Sequence, residues 1–308
     1  VGMLGNAATN VSFPLTSICA AIALLLGVGS ASNFNLELGR GNSRRASRIA
    51  GNGITLIVIC GIVLAALVIL FLRPLMEAFG SSETVLPLAM TYTGITSLGI
   101  PLLIFKTAFS QLIRADGSPS FAMLCLMAGA LLNALLDPLF IYVFDMGIAG
   151  AAWATVISQG VSAVLALSYV GRFKSVRLSN LDFSLKSDYV KRIVALGAAA
   201  SFNQLAMTAV QIAMNNTLTY YGAGSVYGTD IPLAAVGIIS KVNVILLAFT
   251  IGIAQGCQPI VGFNYGAGNY LRVKRTYRKA VVAVTLICCA AFACFQLFPR
   301  AIVSVFGH

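Results

Sequence analysis

Apolar residues fill most of this chain in long runs, separated by short clusters of glycine, polar and basic residues. Eight runs are long enough to cross a bilayer, which takes about 20 residues. They lie near 8–38, 49–72, 86–113, 119–144, 148–171, 192–221, 232–262 and 277–305. All eight are expected as α-helices, because a lipid-facing open strand leaves its backbone groups unpaired.

The pattern repeats. At an offset of 227 positions Gly39, Gly41, Asn42, Arg45 and Arg48 fall on Gly266, Gly268, Asn269, Arg272 and Arg275. The same register carries Ala7-Ala8 onto Ala234-Ala235, Arg73 onto Arg300, and Phe79-Gly80 onto Phe306-Gly307. A gapless match of this length points to internal duplication. In a membrane chain, duplication points to a transporter of two related halves. The predicted fold class is therefore an all-α integral membrane protein with two pseudo-symmetric helical lobes. Two complete units would need about 450 residues by repeat arithmetic. The chain is thus expected to be an internal piece of such a protein. Residues 1–171 form the N-terminal lobe without its first helix, 172–191 a cytoplasmic linker, and 192–308 the C-terminal lobe without its last three helices.

Composition agrees with lipid as the solvent. The chain is 58% hydrophobic and 9% charged, where a soluble domain carries about 25% charged residues. The net charge of +11 would suit nucleic acid if it lay on one folded face. It lies instead between spans, so no nucleic-acid partner is expected. All seven cysteines fall in apolar runs without CxxC or Cys/His spacing, which argues against disulfides and zinc.

Charge also orients the chain. Sixteen of the 20 basic residues fall in alternate inter-span segments. One contains Arg40, Arg44, Arg45 and Arg48, one Arg114, one the six bases from Arg172 to Arg192, and one the stretch Arg272–Lys279. The positive-inside rule places these in the cytoplasm. The glycine-rich turns at 39–42 and 266–269 lack the spacing of phosphate-binding loops, and are read as tight turns between helices.

Of nine acidic residues, only Asp137 lies well inside a predicted span. A charge at that depth costs about 2.5–3.5 kcal/mol on insertion scales, and is a functional candidate by default. Asn133 lies at i−4, on the same helix face. Pro138 has no N–H to offer the Ala134 carbonyl. An amide, a carboxylate and a freed carbonyl suit a hard cation or a proton-bearing network. The same groups would also serve a kinked, hydrogen-bonded packing contact. Counted from the outer helix ends, Tyr92, Asp137 and Thr155 come level, roughly 10 Å from the outer face at 1.5 Å per residue.

The second half offers uncharged polar groups: Asn203, Gln204, Gln211, Asn215 and Asn216 on one span, Gln255 and Gln258 on the next. With Lys241, the glutamines are substrate-cleft candidates; interhelical hydrogen bonding serves them equally well.

The stretch Gly252-Ile-Ala-Gln-Gly-Cys-Gln-Pro-Ile-Val-Gly-Phe-Asn-Tyr-Gly-Ala-Gly-Asn269, followed by Arg272, resembles the eighth helix and following loop of multidrug and toxic compound extrusion (MATE) transporters. The branch around MepA and DinF is the most similar. Arg114-Ala-Asp-Gly-Ser-Pro119, Asn133-x-x-x-Asp137-Pro138 and Gly147-Ile-Ala-Gly-Ala-Ala-Trp-Ala-Thr155 carry the resemblance along the chain, as helices two to nine of twelve. It implies two six-helix lobes around a cleft, and export of bulky, often cationic, drug-like compounds in exchange for H⁺ or Na⁺. It also implies that Tyr92, Asn133, Asp137 and Thr155 belong to one cation-binding or proton-coupling network. No cofactor is expected beyond the coupling ion, and no metal beyond Na⁺ at Asp137 and Asn133. A monomer in the cell inner (plasma) membrane is expected. A lipid-linked saccharide flippase of related plan would call for several buried bases, and only Lys106 and Lys241 qualify. A membrane enzyme would call for paired acids or a histidine within a span, and the single histidine is the terminal His308.

Overall fold

The computed structural model describes residues 2–223 and 230–298; the end of the eighth predicted span, with Arg300, lies outside the described residues. Ten α-helices follow one another: α1 (Gly2–Gly39), α2 (Ser43–Leu70), α3 (Leu72–Ala78), α4 (Leu86–Leu98), α5 (Ile100–Ala115), α6 (Pro119–Pro138), α7 (Gly147–Leu167), α8 (Ser187–Ala223), α9 (Asp230–Gly266) and α10 (Tyr270–Leu297). Among the described residues seven stretches are long and apolar enough to span a membrane, and α4 with α5, taken as one bent span, makes an eighth. The eight spans expected from hydropathy are thus present, the third of them broken.

That break has a local cause. α4 and α5 meet at Gly99 with a bend of 51°. Pro101 sits in the first turn of α5. It has no N–H for the Ser97 carbonyl, and its ring crowds that carbonyl, so a straight helix is disfavoured there. A second irregularity follows Pro138, where the chain passes into a π-helical turn, Leu139–Val143.

The chain divides into two compact units, Val1–Leu205 and Ala206–His308, with the division inside α8. In the first unit α1 packs on α2, α4 and α5, and α7 packs on α4, α5 and α6. The main core joins Phe34, Ile49, Ile57, Ile104, Phe109, Leu112 and Ile113, all under 2% exposed. Large apolar residues such as Ile62, Leu70, Leu131 and Leu135 are instead exposed. In water that surface would be costly; facing acyl chains it is not. In the second unit α9 packs on α10.

The repeat is reproduced in backbone detail. Gly41 and Gly268 both take a left-handed φ, +77° and +75°. Asn42 N–H donates to the Glu37 carbonyl and Asn269 N–H to the Asn264 carbonyl, each at 2.9 Å. Both turns are the glycine-terminated helix ends in which a six-to-one bond satisfies the last carbonyls. They are tight turns, as expected. The basic residues differ in placement from the expectation of loops. Arg44, Arg45 and Arg48 ride on α2, and Arg272 to Lys279 ride on α10. Basic residues on the helix ends just outside the apolar runs are where the positive-inside pattern is counted.

The linker is folded rather than free. Asp116, 2% exposed, accepts from the Tyr169 hydroxyl at 2.7 Å, Lys174 N–H at 2.7 Å and Ser175 N–H at 2.9 Å. The segment then runs along α2. Ser47 donates to the Arg177 carbonyl at 3.4 Å, Asn52 to the Asp182 carbonyl at 3.0 Å, and Thr55 to the Phe183 carbonyl at 2.9 Å. Lys186 N–H returns to Asn52 Oδ1 at 2.8 Å. A side chain at Gly51 would collide with the Asp182 backbone. This strap belongs to the first unit, as does the start of α8, where Asn33 donates to the Arg192 carbonyl at 2.9 Å.

Candidate functional site

Four helices of the first unit each carry two polar side chains one turn apart: Ser12 and Thr16 on α1, Tyr92 and Thr96 on α4, Asn133 and Asp137 on α6, Thr155 and Gln159 on α7. Three of these pairs line one cavity of about 130 Å³, together with Leu15, Cys19, Ile100 and Leu103. The bend at Gly99 lets α4 and the first turn of α5 both face it. Ser12 Oγ lies 2.7 Å from Thr93 Oγ1, tying α1 to α4.

Asn133 Nδ2 donates to Asp137 Oδ1 at 3.3 Å. Asp137 is half-buried and lies near Tyr92, and Tyr92 and Thr155 line the same cavity. Thr155 donates its hydroxyl proton to the Ala151 carbonyl at 2.9 Å. The structure thereby brings Tyr92, Asn133, Asp137 and Thr155 together. Asp137 and Asn133 are not among the side chains lining the cavity.

The other buried acids are occupied. Asp116 holds the three donors named above. Asp182 accepts from Ser179 N–H and Oγ at 2.8 and 3.0 Å. Glu37 pairs with Arg40 at 2.9 Å and accepts from Asn42 at 3.0 Å. Asp137 has a single long bond, from Asn133. A carboxylate can accept about four, so its oxygens retain capacity for a cation or a proton.

Sequence reasoning missed Ser12, Thr16, Thr96 and Gln159. Their signal was present: polar residues at i and i+4 inside three apolar runs, the same spacing that drew attention to Asn133 and Asp137. The second-half candidates lie on other elements. Gln204 and Gln211 are half-buried on α8, Gln255 and Gln258 half-buried on α9, and Lys241 exposed on α9. Each makes side-chain interactions of its own. The side chain of Asn215 lies outside the described residues. No group of three metal-binding side chains occurs among the described residues.

The MatE family model matches residues 2–139 and 199–308. The chain belongs to the MatE family. It is 22% identical to the multidrug export protein MepA of Staphylococcus haemolyticus, over all of this chain and 67% of that protein. It is 26% identical to a FAD transporter of Shewanella oneidensis, over all of this chain and 68% of that one. Among solved structures, an outward-facing multidrug resistance MATE family transporter superposes with a TM-score of 0.89 at 25% identity, covering 100% of this chain and 67% of that chain. A MATE transporter in complex with MaL6 superposes with a TM-score of 0.92 at 25% identity, covering 99% and 67%. The chain thus spans about two thirds of the length of these MatE proteins. A multi-pass membrane transporter fold accounts for the spans, the repeat and the apolar exterior together.

Proposed function

We propose that the protein exports bulky organic compounds, often cationic, in exchange for H⁺ or Na⁺, with Asp137 as the coupling carboxylate. The observation that carries this reading is Asp137 with spare acceptor capacity, held by Asn133 and near Tyr92, which shares a cavity with Thr155. Size assigns the roles. A cavity of about 130 Å³ is well below the 300–1,000 Å³ of drug-sized sites. It suits an ion with a few waters, each needing about 10–15 Å³ of probe-occupied volume. The exported compound therefore needs more space than this cavity gives, and Gln204, Gln211, Gln255, Gln258 and Lys241 are proposed for the cleft.

Outward-facing and empty, Asp137 takes up H⁺ or Na⁺ and loses its charge. A cationic compound then loses its electrostatic partner and leaves. The membrane potential contributes about 2.3 kcal/mol per charge per 100 mV. The protein is read as a monomer of the inner membrane.

The FAD-transporting relative motivates a second reading, an anionic nucleotide as cargo. The neutral lining of the first-unit cavity and the acid beside it favour the cation. Export of a fluorescent organic cation from cells, with the H⁺ and Na⁺ gradients collapsed separately, tests the proposal. Asp137→Asn should abolish gradient-dependent export while leaving protein in the membrane. Full export by that variant would remove Asp137 from the mechanism.

A further inference from the structure

The two inner turns related by the repeat share a backbone but not a chemistry. In the first, Glu37 neutralises Arg40 and holds Asn42. Its counterpart in the second is Asn264, which donates to its own helix at Ile260. Residues 231–308 contain seven bases and no acid. The strap-docking residues change too. Ser47, Gly51, Asn52 and Thr55 correspond to Lys274, Arg278, Lys279 and Val282. An arginine in place of Gly51 leaves no room for a strap backbone, and the hydrogen-bonding amide and hydroxyls are gone.

What replaces them is a basic face. Arg272, Arg275, Thr276 and Lys279 lie at i, i+3, i+4 and i+7 of α10, within one stripe. With Asn269 and Leu271 they line an open recess of about 540 Å³. All three bases are exposed, and none of them is in an ion pair among the described residues. Lys279 directly precedes the apolar run 280–297. Arg272 stands seven residues earlier, about 10 Å along the axis. That interval spans the headgroup layer, which is about 5–8 Å per leaflet. Tyr265, Tyr270 and Tyr277, each more than half exposed, surround this level as interfacial aromatics do. Their counterparts Leu38, Ser43 and Ala50 carry no ring. The turn's own N–H groups bond back to α9, so the side chains are what remains for a ligand.

We propose that this face of α10 binds the phosphate of an anionic phospholipid in the cytoplasmic leaflet. Each base near such a surface contributes about 1 kcal/mol, and three side chains on one stripe reach a single phosphate and its neighbour. The lipid clamps the inner end of the second half where the strap clamps that of the first.

The test uses the intact protein in neutral detergent, titrated with short-chain phosphatidylglycerol, phosphatidylcholine or inorganic phosphate, and read by native mass spectrometry. Phosphatidylglycerol should bind and phosphatidylcholine should not. The R275Q/K279Q variant should bind phosphatidylglycerol at least about tenfold more weakly, as the loss of two such contacts requires. The K274Q/R278Q variant removes the same charge from the opposite face and should stay within about twofold of the parent. Equal weakening by both pairs, or none by R275Q/K279Q, overturns the proposal. Inorganic phosphate displacing phosphatidylglycerol at equal phosphate concentration would assign the site to a free anion and overturn the lipid. Should the double variant fail to elute as the parent does, Lys279→Gln alone decides, with the same ordering against Arg278→Gln.

Discussion

Replacing Asp116 with asparagine should release the linker strap from the inner end of the first unit. The wild-type carboxylate is buried and accepts three bonds, two at Oδ2 and one at Oδ1. An asparagine can place its one oxygen at the Oδ2 position. Its amide nitrogen then faces the N–H of Ser175, donor against donor. The remaining bonds lose their charge assistance. Bonds to a charged group contribute about 1.5–3 kcal/mol net, and a stranded buried donor costs about 1–3 kcal/mol. The local opening free energy should therefore fall by about 2–3 kcal/mol, or about 30- to 150-fold in the open population. Trypsin reads this directly, because Arg172, Lys174 and Arg177 present exposed side chains on a backbone that the strap holds in place. When reclosing outpaces cleavage, the cleavage rate follows the open population. Cleavage of Asp116→Asn at these sites should rise by that factor. Tyr169→Phe, which removes one donor, should give about fivefold, for a loss of about 1 kcal/mol. Cleavage of Asp116→Asn at the parental rate would refute the assignment of Asp116 as the anchor.

Three further outcomes are expected. Gly197→Val should lower the melting temperature of the detergent-solubilised protein sharply, since any Cβ there collides with the Leu25 carbonyl. Overpacking of this kind costs about 1–3 kcal/mol, and Gly171→Val, with open space around it, should leave the melting temperature unchanged. Pro101→Ala restores a donor for Ser97 and should straighten the α4–α5 bend of 51°, lengthening the distance between spin labels at Thr91 and Lys106 by about 2 Å at helical rise; an unchanged distance would mean that tertiary packing holds the bend. Tyr92→Phe should weaken ion-coupled export without abolishing it, and should add nothing in the Asp137→Asn background, because both act through one network; independent, multiplying losses would separate them.

Much of the site was legible locally. Asn133 and Asp137 share a helix, so four-residue spacing places their side chains together without any knowledge of neighbours. The level of Tyr92 and Thr155 followed from counting residues along antiparallel spans. The cavity was not legible, although its residues carry the same spacing. Which faces of α1, α4 and α7 turn toward one another depends on how the helices rotate in packing. Weak amphipathicity in an all-apolar span does not reveal that rotation.

The division is a physical one. Hydropathy, basic-residue placement and the repeat are properties of the chain against its solvent. They determined the all-helical membrane class, the apolar spans and the paired turns at Gly41 and Gly268. The tertiary structure decided what depends on distant segments meeting. It folded the linker into a strap on α2, anchored at Asp116, and joined three polar pairs into one ion-sized cavity beside Asp137. It also showed that two turns of equal backbone, one covered and one open, differ because Gly51 admits a neighbouring chain and Arg278 does not.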